Sequence, residues 1–300
     1  MISVVLPVYN GEEFLSQSIE SIIAQTYRDW ELIIVDDCST DNTYSIANRY
    51  KKIDNRIHVY RNDVNKKLPG SLNAGFQYAK GDYYTWTSDD NMYLPDALNE
   101  MLLFLKENKD VELVSTDIEI IDESGQHIKN MELEEPTREE FLKRNVMGAC
   151  FLYKREVHEK LNGYDENLFL AEDYDFWLRA TRYYKIGRIR KVHYKYRVHS
   201  KSLTETRRED VSRLVLELLS REFEYEPQTI ENSIKKYMIL LEYSFFPNMQ
   251  NIFREYLKEL KKLSRKEYRK LEHKYRLAAF LPIYFVLVGE DVLRNGIRRK

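Results

Sequence analysis

The sequence predicts an α/β fold, in which a mostly parallel sheet is flanked by helices and followed by a separate helical region. Three observations carry this. Short apolar or β-branched runs alternate with stretches of helical periodicity through about the first 90 residues. Each of those runs ends in polar or acidic residues. From about Arg207 onward the strand signals fade and only helical patterns remain.

The elements follow in order. Ile2 to Pro7 is apolar and β-branched and reads as a strand. Glu13 to Gln25 places Phe14, Ile19, Ile22 and Ile23 at helical spacing. Glu31 to Val35 is a second strand that ends in Asp36 and Asp37. Ser39, Thr40, Asp41 and Asn42 are helix-capping types, and Thr43 to Tyr50 follows as a helix. Ile57 to Tyr60 is a third strand. Ser71 to Ala79 is a helix with Leu72, Phe76 and Ala79 on its apolar face, and Gly81 marks its end. Tyr83 to Thr87 is a fourth strand. Such alternation implies parallel strands covered by helices on both faces. Further on, Asp210 to Phe223, Thr229 to Phe245 and Asn251 to Tyr275 have helical patterns.

Composition excludes several classes. With 300 residues, 10 Gly and 7 Pro, the chain is globular rather than disordered and can bury one large core or two modest ones. A net charge of -2 gives no general attraction to nucleic acid. Cys38 and Cys150 have no metal-binding or pairing pattern, which suits a reducing cytoplasmic setting and two buried small side chains. No basic-then-apolar leader precedes the first strand. The apolar stretch Leu277 to Val288 is broken by Pro282 and falls short of the roughly 20 residues a spanning helix needs. Residues 251–276 carry ten Lys/Arg against four Asp/Glu, and Arg294, Arg298, Arg299 and Lys300 close the chain. Basic helices beside an apolar segment can rest peripherally on the inner face of a membrane. The competing reading is a bundle whose charges are simply solvated.

The most informative stretch is Thr85-Trp86-Thr87-Ser88-Asp89-Asp90-Asn91. A β-prone run ends there in two adjacent carboxylates. Neighbouring strand side chains point to opposite faces, so both acids cannot enter one core. At a strand's carboxyl end they can project into the crevice where open α/β sheets bind ligands. Hard divalent ions bind through one or two carboxylates together with substrate phosphates, so the pair reads as a metal-diphosphate site. A solvated Asp-Asp-Asn turn is the bland alternative. The turn after the first strand reads Val8-Tyr9-Asn10-Gly11-Glu12-Glu13 and lacks the G-x-G-x-x-G fingerprint of dinucleotide folds. Tyr9 and Asn10, Asp36 and Asp37, Arg61 and Asn62, and Asp89 and Asp90 would share one sheet edge.

Five segments together resemble the family 2 glycosyltransferases: Val5-Leu6-Pro7-Val8-Tyr9-Asn10, Val35-Asp36-Asp37-Cys38-Ser39-Thr40-Asp41, Ser88-Asp89-Asp90, Glu172-Asp173-Tyr174-Asp175-Phe176-Trp177 and Tyr196-Arg197-Val198-His199. The look is closest to the spore-coat polysaccharide type. The commoner pattern at the fourth strand is Asp-x-Asp-Asp, and Thr87 stands here at its first position.

The resemblance implies a GT-A fold over residues 1–206, with a nucleotide-sugar-binding half (1–110) and an acceptor half (111–206), and a helical extension over 207–300. It implies an inverting transfer from a nucleotide-diphospho-sugar to a glycan or lipid-linked acceptor in polysaccharide or cell-envelope synthesis, with Mn2+ or Mg2+ as cofactor. Asp173 would be the general base, its neighbours Glu172 and Asp175 being first-turn helix acids. Asp90 and His199 would ligate the metal, and Asp89 would bind the donor's ribose or sugar. Pro7, Val8, Tyr9, Asn10, Glu12, Asp37 and Asn73 would line the donor site. Tyr9 would stack on the base, and Asp37 would accept the base N–H, which favours uracil. A basic residue in the loop before Ser71, Lys66 or Lys67, would lie near the nucleotide; Lys67 is carried forward. Trp177 reads more readily as core than as a sugar platform. The polar run Ser200 to Thr206 reads as a lid. Two other readings remain open at this point: a sugar nucleotidyltransferase, although its Gly-rich basic loop is missing, and a non-catalytic glycosyltransferase-like subunit. The sequence leaves self-association open.

Overall fold

The computed structural model describes residues 1–200, 202 and 206–276. The apolar stretch from Leu277 and the basic residues that close the chain lie outside the described residues, as do positions 201 and 203–205 of the expected lid. The chain divides into two compact units, Met1–Thr206 and Arg207–Lys300.

The first unit is built on a sheet of nine strands among the described residues: β1 (Ile2–Val8), β2 (Trp30–Asp36), β3 (Ile57–Arg61), β4 (Tyr83–Trp86), β5 (Met92–Tyr93), β6 (Leu113–Ile121), β7 (His127–Met131), β8 (Phe151–Lys154) and β9 (Ile186–Arg197). Their order is β3-β2-β1-β4-β8-β6-β9-β5, with β7 paired to β6. The first four positions are parallel, as the alternating pattern predicts. Beyond β4 the sheet is mixed: β8 is antiparallel to β4 and β6, β9 is parallel to β6, and β5 is antiparallel to β9.

The helices are α1 (Leu15–Ile23), α2 (Thr43–Ile53), α3 (Lys67–Phe76), α4 (Ala97–Glu107), α5 (Arg138–Phe141), α6 (Arg155–Leu161) and α7 (Glu172–Ala180). Every residue of β1 and β2 is buried, which is why both strands are mostly apolar, and the buried Ser3 Oγ donates to Glu31 Oε1 at 2.7 Å. Ile2, Val4, Leu6 and Val8 share one core with Leu15, Ile19 and Ile22 of α1, Ala47 of α2 and Leu98 and Met101 of α4. Burying each such aliphatic side chain is worth about 1.5–3 kcal/mol. On the other face α3 approaches so closely that a Cβ on Gly75 would lie 2.5 Å from Val5 Cγ1.

Pro7 sits within a central strand without breaking it. Val5 O accepts from Thr87 N, so position 7, two residues on, directs its nitrogen to the same side. The β1–β4 pairing stops at Val5 and Trp86, and the proline therefore removes no ladder bond.

Two local expectations are corrected. Helix α3 begins at Lys67 rather than Ser71, because Pro69 is compatible with a first helical turn and does not mark its outside. Gly81 is not the cap of that helix, which ends at Phe76. A Cβ on Gly81 would meet Ser3 Oγ at 2.7 Å and Ser3 N at 2.8 Å, so close approach to β1 is what requires glycine there.

The second unit contains the helices Arg208–Glu222, Ile230–Tyr243, Gln250–Leu263 and Arg265–Arg276. The single helix expected over Asn251 to Tyr275 is two. Ser264 has extended backbone (φ -149°, ψ 104°), and its Oγ accepts from Glu267 N at 3.3 Å, so it ends one helix and caps the next. Among the described residues no helix is long and apolar enough to cross a membrane.

Candidate active site

The crevice at the carboxyl ends of β1, β2 and β4 collects the expected donor-site residues. Pro7 and Val8 are buried in β1, and Tyr9, 51% exposed, is the first open side chain beyond them. Asn10 has positive φ (53°), and its Oδ1 accepts from Thr40 N at 2.8 Å. Glu12 reaches across to the next loop, where its Oε2 accepts from Asn42 N at 2.9 Å and Asn42 Nδ2 at 2.7 Å. Asn10 and Glu12 thus join the loops after β1 and β2, and a carboxylate at the start of α2 is favoured by the helix dipole.

The two acids after β2 divide their work. Asp36 is fully buried; its Oδ1 accepts from Ser39 N at 3.3 Å, and its Oδ2 lies 3.2 Å from Arg61 Nε. It shapes the turn. Asp37 Oδ1 accepts from Asn62 Nδ2 at 2.8 Å and Lys66 N at 2.7 Å. Asp37 Oδ2 accepts nothing among the described residues, which leaves one oxygen for an N–H of a ligand. Lys67 has positive φ (63°), and its Nζ lies 6.0 Å from the Phe169 ring, so the start of α3 meets the segment before α7. Asn73 is committed elsewhere. Its Oδ1 accepts from Tyr164 N at 2.9 Å, and its Nδ2 donates to Tyr164 O at 2.9 Å and Glu166 Oε1 at 3.0 Å. Its side chain fastens α3 to that same segment.

Alternation along β4 explains the central turn. Thr85 and Thr87 point inward, where Thr85 Oγ1 donates to Phe151 O at 2.6 Å and Thr87 Oγ1 lies 2.6 Å from the Tyr194 hydroxyl. A carboxylate at position 87 would be buried against that phenol, which is a physical reason for threonine there. Beyond it, Ser18 Oγ donates to Ser88 O at 2.9 Å and fixes the turn on α1. Burial and the neighbouring Asp90 charge push the Asp89 carboxyl up to about 7. Its carboxylate lies directly over Gly11.

The two residues expected to hold a metal come together from opposite ends of the unit. His199 Nε2 lies 3.0 Å from Asp90 Oδ2. Asp90 Oδ1 and His199 Nδ1 are buried without a hydrogen-bond partner. One carboxylate and one imidazole fit a hard or borderline divalent ion whose remaining positions come from diphosphate and water. Among the described residues no group of three or more His, Cys, Asp or Glu is arranged to hold an ion by itself.

Asp173 stands in the first turn of α7. Its Oδ2 accepts from Asn145 Nδ2 at 3.0 Å and its Oδ1 from Tyr174 N at 2.7 Å. Burial raises its pKa against the pull of those two bonds. Glu172 is buried, and its Oε2 accepts from Leu170 N at 2.7 Å, in a turn where Leu170 has φ 86°. Burial, then the Asp173 charge, lifts Glu172 to about 8. Asp175 is paired with Arg179 at 2.7 Å and is structural. Trp177 is core: fully buried, with its ring 4.7 Å from Phe151.

The bridge between donor turn and α7 was not legible in the sequence. Trp86 Nε1, at the end of β4, donates to the Tyr164 hydroxyl at 2.9 Å. Tyr164 O–H lies 3.4 Å from that of Tyr153, which lies 3.3 Å from His158 Nδ1. The charges of Asp173 and Glu172 reach Tyr164 and add to the effect of burial in raising its phenol pKa. Trp86 is three residues from Asp89, a reach of at most about 11 Å. The bond ties the end of β4, three residues before Asp89, to the segment that precedes α7. Asn145 offered no signal, since a lone loop asparagine is ordinary.

Known folds and sequences agree with this geometry. The first 349 residues of S. aureus TarS, solved with UDP-GlcNAc, superpose with a TM-score of 0.71 at 18% identity, covering 100% of this chain and 93% of that one. The mannosyltransferase PcManGT of Pyrobaculum calidifontis, solved with GDP-Man and Mn2+, gives 0.63 at 15% identity, covering 95% and 82%. These likenesses establish the GT-A fold. The O-antigen biosynthesis glycosyltransferase WbnJ of Escherichia coli is 32% identical over 213 residues, 67% of this chain and 81% of WbnJ. An uncharacterized glycosyltransferase of Rickettsia prowazekii is 30% identical over 216 residues, 69% of this chain, and the match spans only 66% of that relative. Residues 3–161, which hold β1 through β8 with Asp37, Asp89 and Asp90, match the profile of glycosyl transferase family 2, and the chain belongs to that family.

Proposed function

We propose that the chain is an inverting glycosyltransferase that moves a sugar from a nucleotide-diphospho-sugar, UDP-linked by preference, to a hydroxyl of a glycan or lipid-linked acceptor in cell-envelope polysaccharide synthesis. One observation supports the reading most: the Asp90–His199 pair sits in the turn after β4, beside Asp89, and the Trp86–Tyr164 bond ties the end of that strand to the segment that leads to Asp173. Relatives support it: WbnJ is named for O-antigen biosynthesis, and TarS was solved with UDP-GlcNAc. Family membership leaves the nucleotidyltransferase reading without support.

Tyr9 offers an exposed ring for the base, and the second oxygen of Asp37 accepts its N–H. Asp89, over Gly11, faces the ribose or sugar. Asp90 and His199 would hold Mn2+ or Mg2+, which when bound offsets the charge that develops on the leaving diphosphate. Asp173 takes the proton from the acceptor hydroxyl as its oxygen attacks C1. Its raised pKa strengthens it as a base, and Asn145 orients it.

The test is Asp173→Asn, which keeps shape and loses the base. Transfer should fall by about 10²–10⁴-fold, while calorimetric affinity for UDP with Mn2+ stays within twofold of wild type. Transfer at the wild-type rate would rule out Asp173 as the base.

A further inference from the structure

Arg197 closes β9 and is 1% exposed. Its backbone N donates to Asn91 Oδ1 at 2.8 Å, and its Nε donates to Asp90 O at 3.0 Å. Nη1 donates to Glu123 O at 2.8 Å and Asp122 O at 3.3 Å, and Nη2 donates to Gln17 Oε1 at 2.7 Å. The guanidinium also lies 4.5 Å from the Phe14 ring, whose other neighbour is the His199 ring at 5.5 Å. One side chain thus joins the start of α1, the turn after β4, the turn after β6 and the end of β9.

Every one of those acceptors is neutral, and among the described residues Arg197 has no ion-pair partner. A buried guanidinium without a counter-charge is unfavourable, and a pin needed only for structure would be cheaper as an uncharged group or beside a carboxylate. The site holds negative charge on Asp90, the residue whose backbone oxygen the guanidinium grips.

We propose that Arg197 is a positioning residue for the cation site. Its fork fixes the Asp90 backbone while the strand it ends, with Phe14 as a shared wall, delivers His199 to Asp90. The inference rests on Asp90 and His199 as cation ligands.

The experiment measures Mn2+ affinity in the presence of UDP, by calorimetry on the full chain, with melting temperature recorded without metal. The variants are Arg197→Lys, Arg197→Met, Gln17→Met and Asp90→Ala. Partners that orient a metal ligand typically contribute about 10–100-fold in affinity. Arg197→Met should reach the upper end of that range. Arg197→Lys, which keeps the charge and loses the planar fork, should stay near the lower end. Gln17→Met leaves the arginine in place and removes one acceptor, so it decides the matter if Arg197→Met does not fold. It should weaken Mn2+ binding several-fold with little change in melting temperature. Wild-type Mn2+ affinity in both Arg197→Lys and Gln17→Met, with binding lost in Asp90→Ala, would overturn the positioning role and leave the cation site standing. Equal Mn2+ affinity in wild type and Asp90→Ala would overturn both.

Discussion

At the scale of single residues, the site is as dependent on what is small as on what is charged. A Cβ at Gly11 would lie 1.9 Å from Asp89 Oδ2 and 2.7 Å from Val8 Cγ2, so no side chain fits without displacing the carboxylate. Gly11→Ala should leave the circular dichroism spectrum intact and reduce transfer by about 10²-fold, as misplacement of about an ångström does. Glu172 makes a prediction with a definite sign. Its ordinary pKa is 4.5 and burial carries it to about 8, so the folded chain holds this proton more tightly than the unfolded one. That contribution is complete below 4.5 and is lost as pH rises through about 8. Glu172→Gln should flatten the fall in melting temperature across this window, read by thermal melts at a series of pH values. Residue types marked these acids in the sequence. Asn145, the partner of Asp173, was invisible because a hydrogen bond between loops 28 residues apart leaves no local pattern, and the Leu170 bond to Glu172 depends on a positive φ that residue type does not announce.

At the scale of elements, the bond between Trp86 at the end of β4 and Tyr164 in the segment before α7 joins residues 78 apart in the chain. Tyr164→Phe keeps the ring, which stacks 4.6 Å from Phe176, and strips the partner from Trp86 Nε1. The unfolding free energy should drop by about 1–3 kcal/mol, measured by urea titration, because a buried donor is left unpaired. Strands with strong β-branched content were read to within a residue or two from composition alone, β1 and β2 above all. The pairing of β8 between β4 and β6 was not, since register between segments about 70 and about 40 residues apart is set by packing rather than by local propensity. Helix ends misled where one residue has two uses. Pro69 opens a helix and resembles a stop; Ser264 interrupts a periodicity that continues on both sides.

At the scale of the whole molecule, every residue assigned to the site lies in the unit Met1–Thr206. A chain ending at Thr206 should therefore bind UDP with Mn2+ as the full chain does, by calorimetry. The basic helices Gln250–Leu263 and Arg265–Arg276 left two readings open; if they rest on a membrane, only the full chain should cosediment with anionic vesicles and added salt should release it, whereas a solvated bundle would stay in the supernatant. The class of fold was legible because buried parallel strands and their helices repeat. The helical unit carries charge and periodicity but no motif, so its purpose was not.

Pro7 has one more effect. Any other residue at that position would carry an N–H aimed at the seam between β1 and β4, past the last paired residues Val5 and Trp86. In a buried strand that donor would need an acceptor of its own. Proline makes no such demand, so the chain after β4 is free to turn away from β1 and fasten on α1 through Ser88.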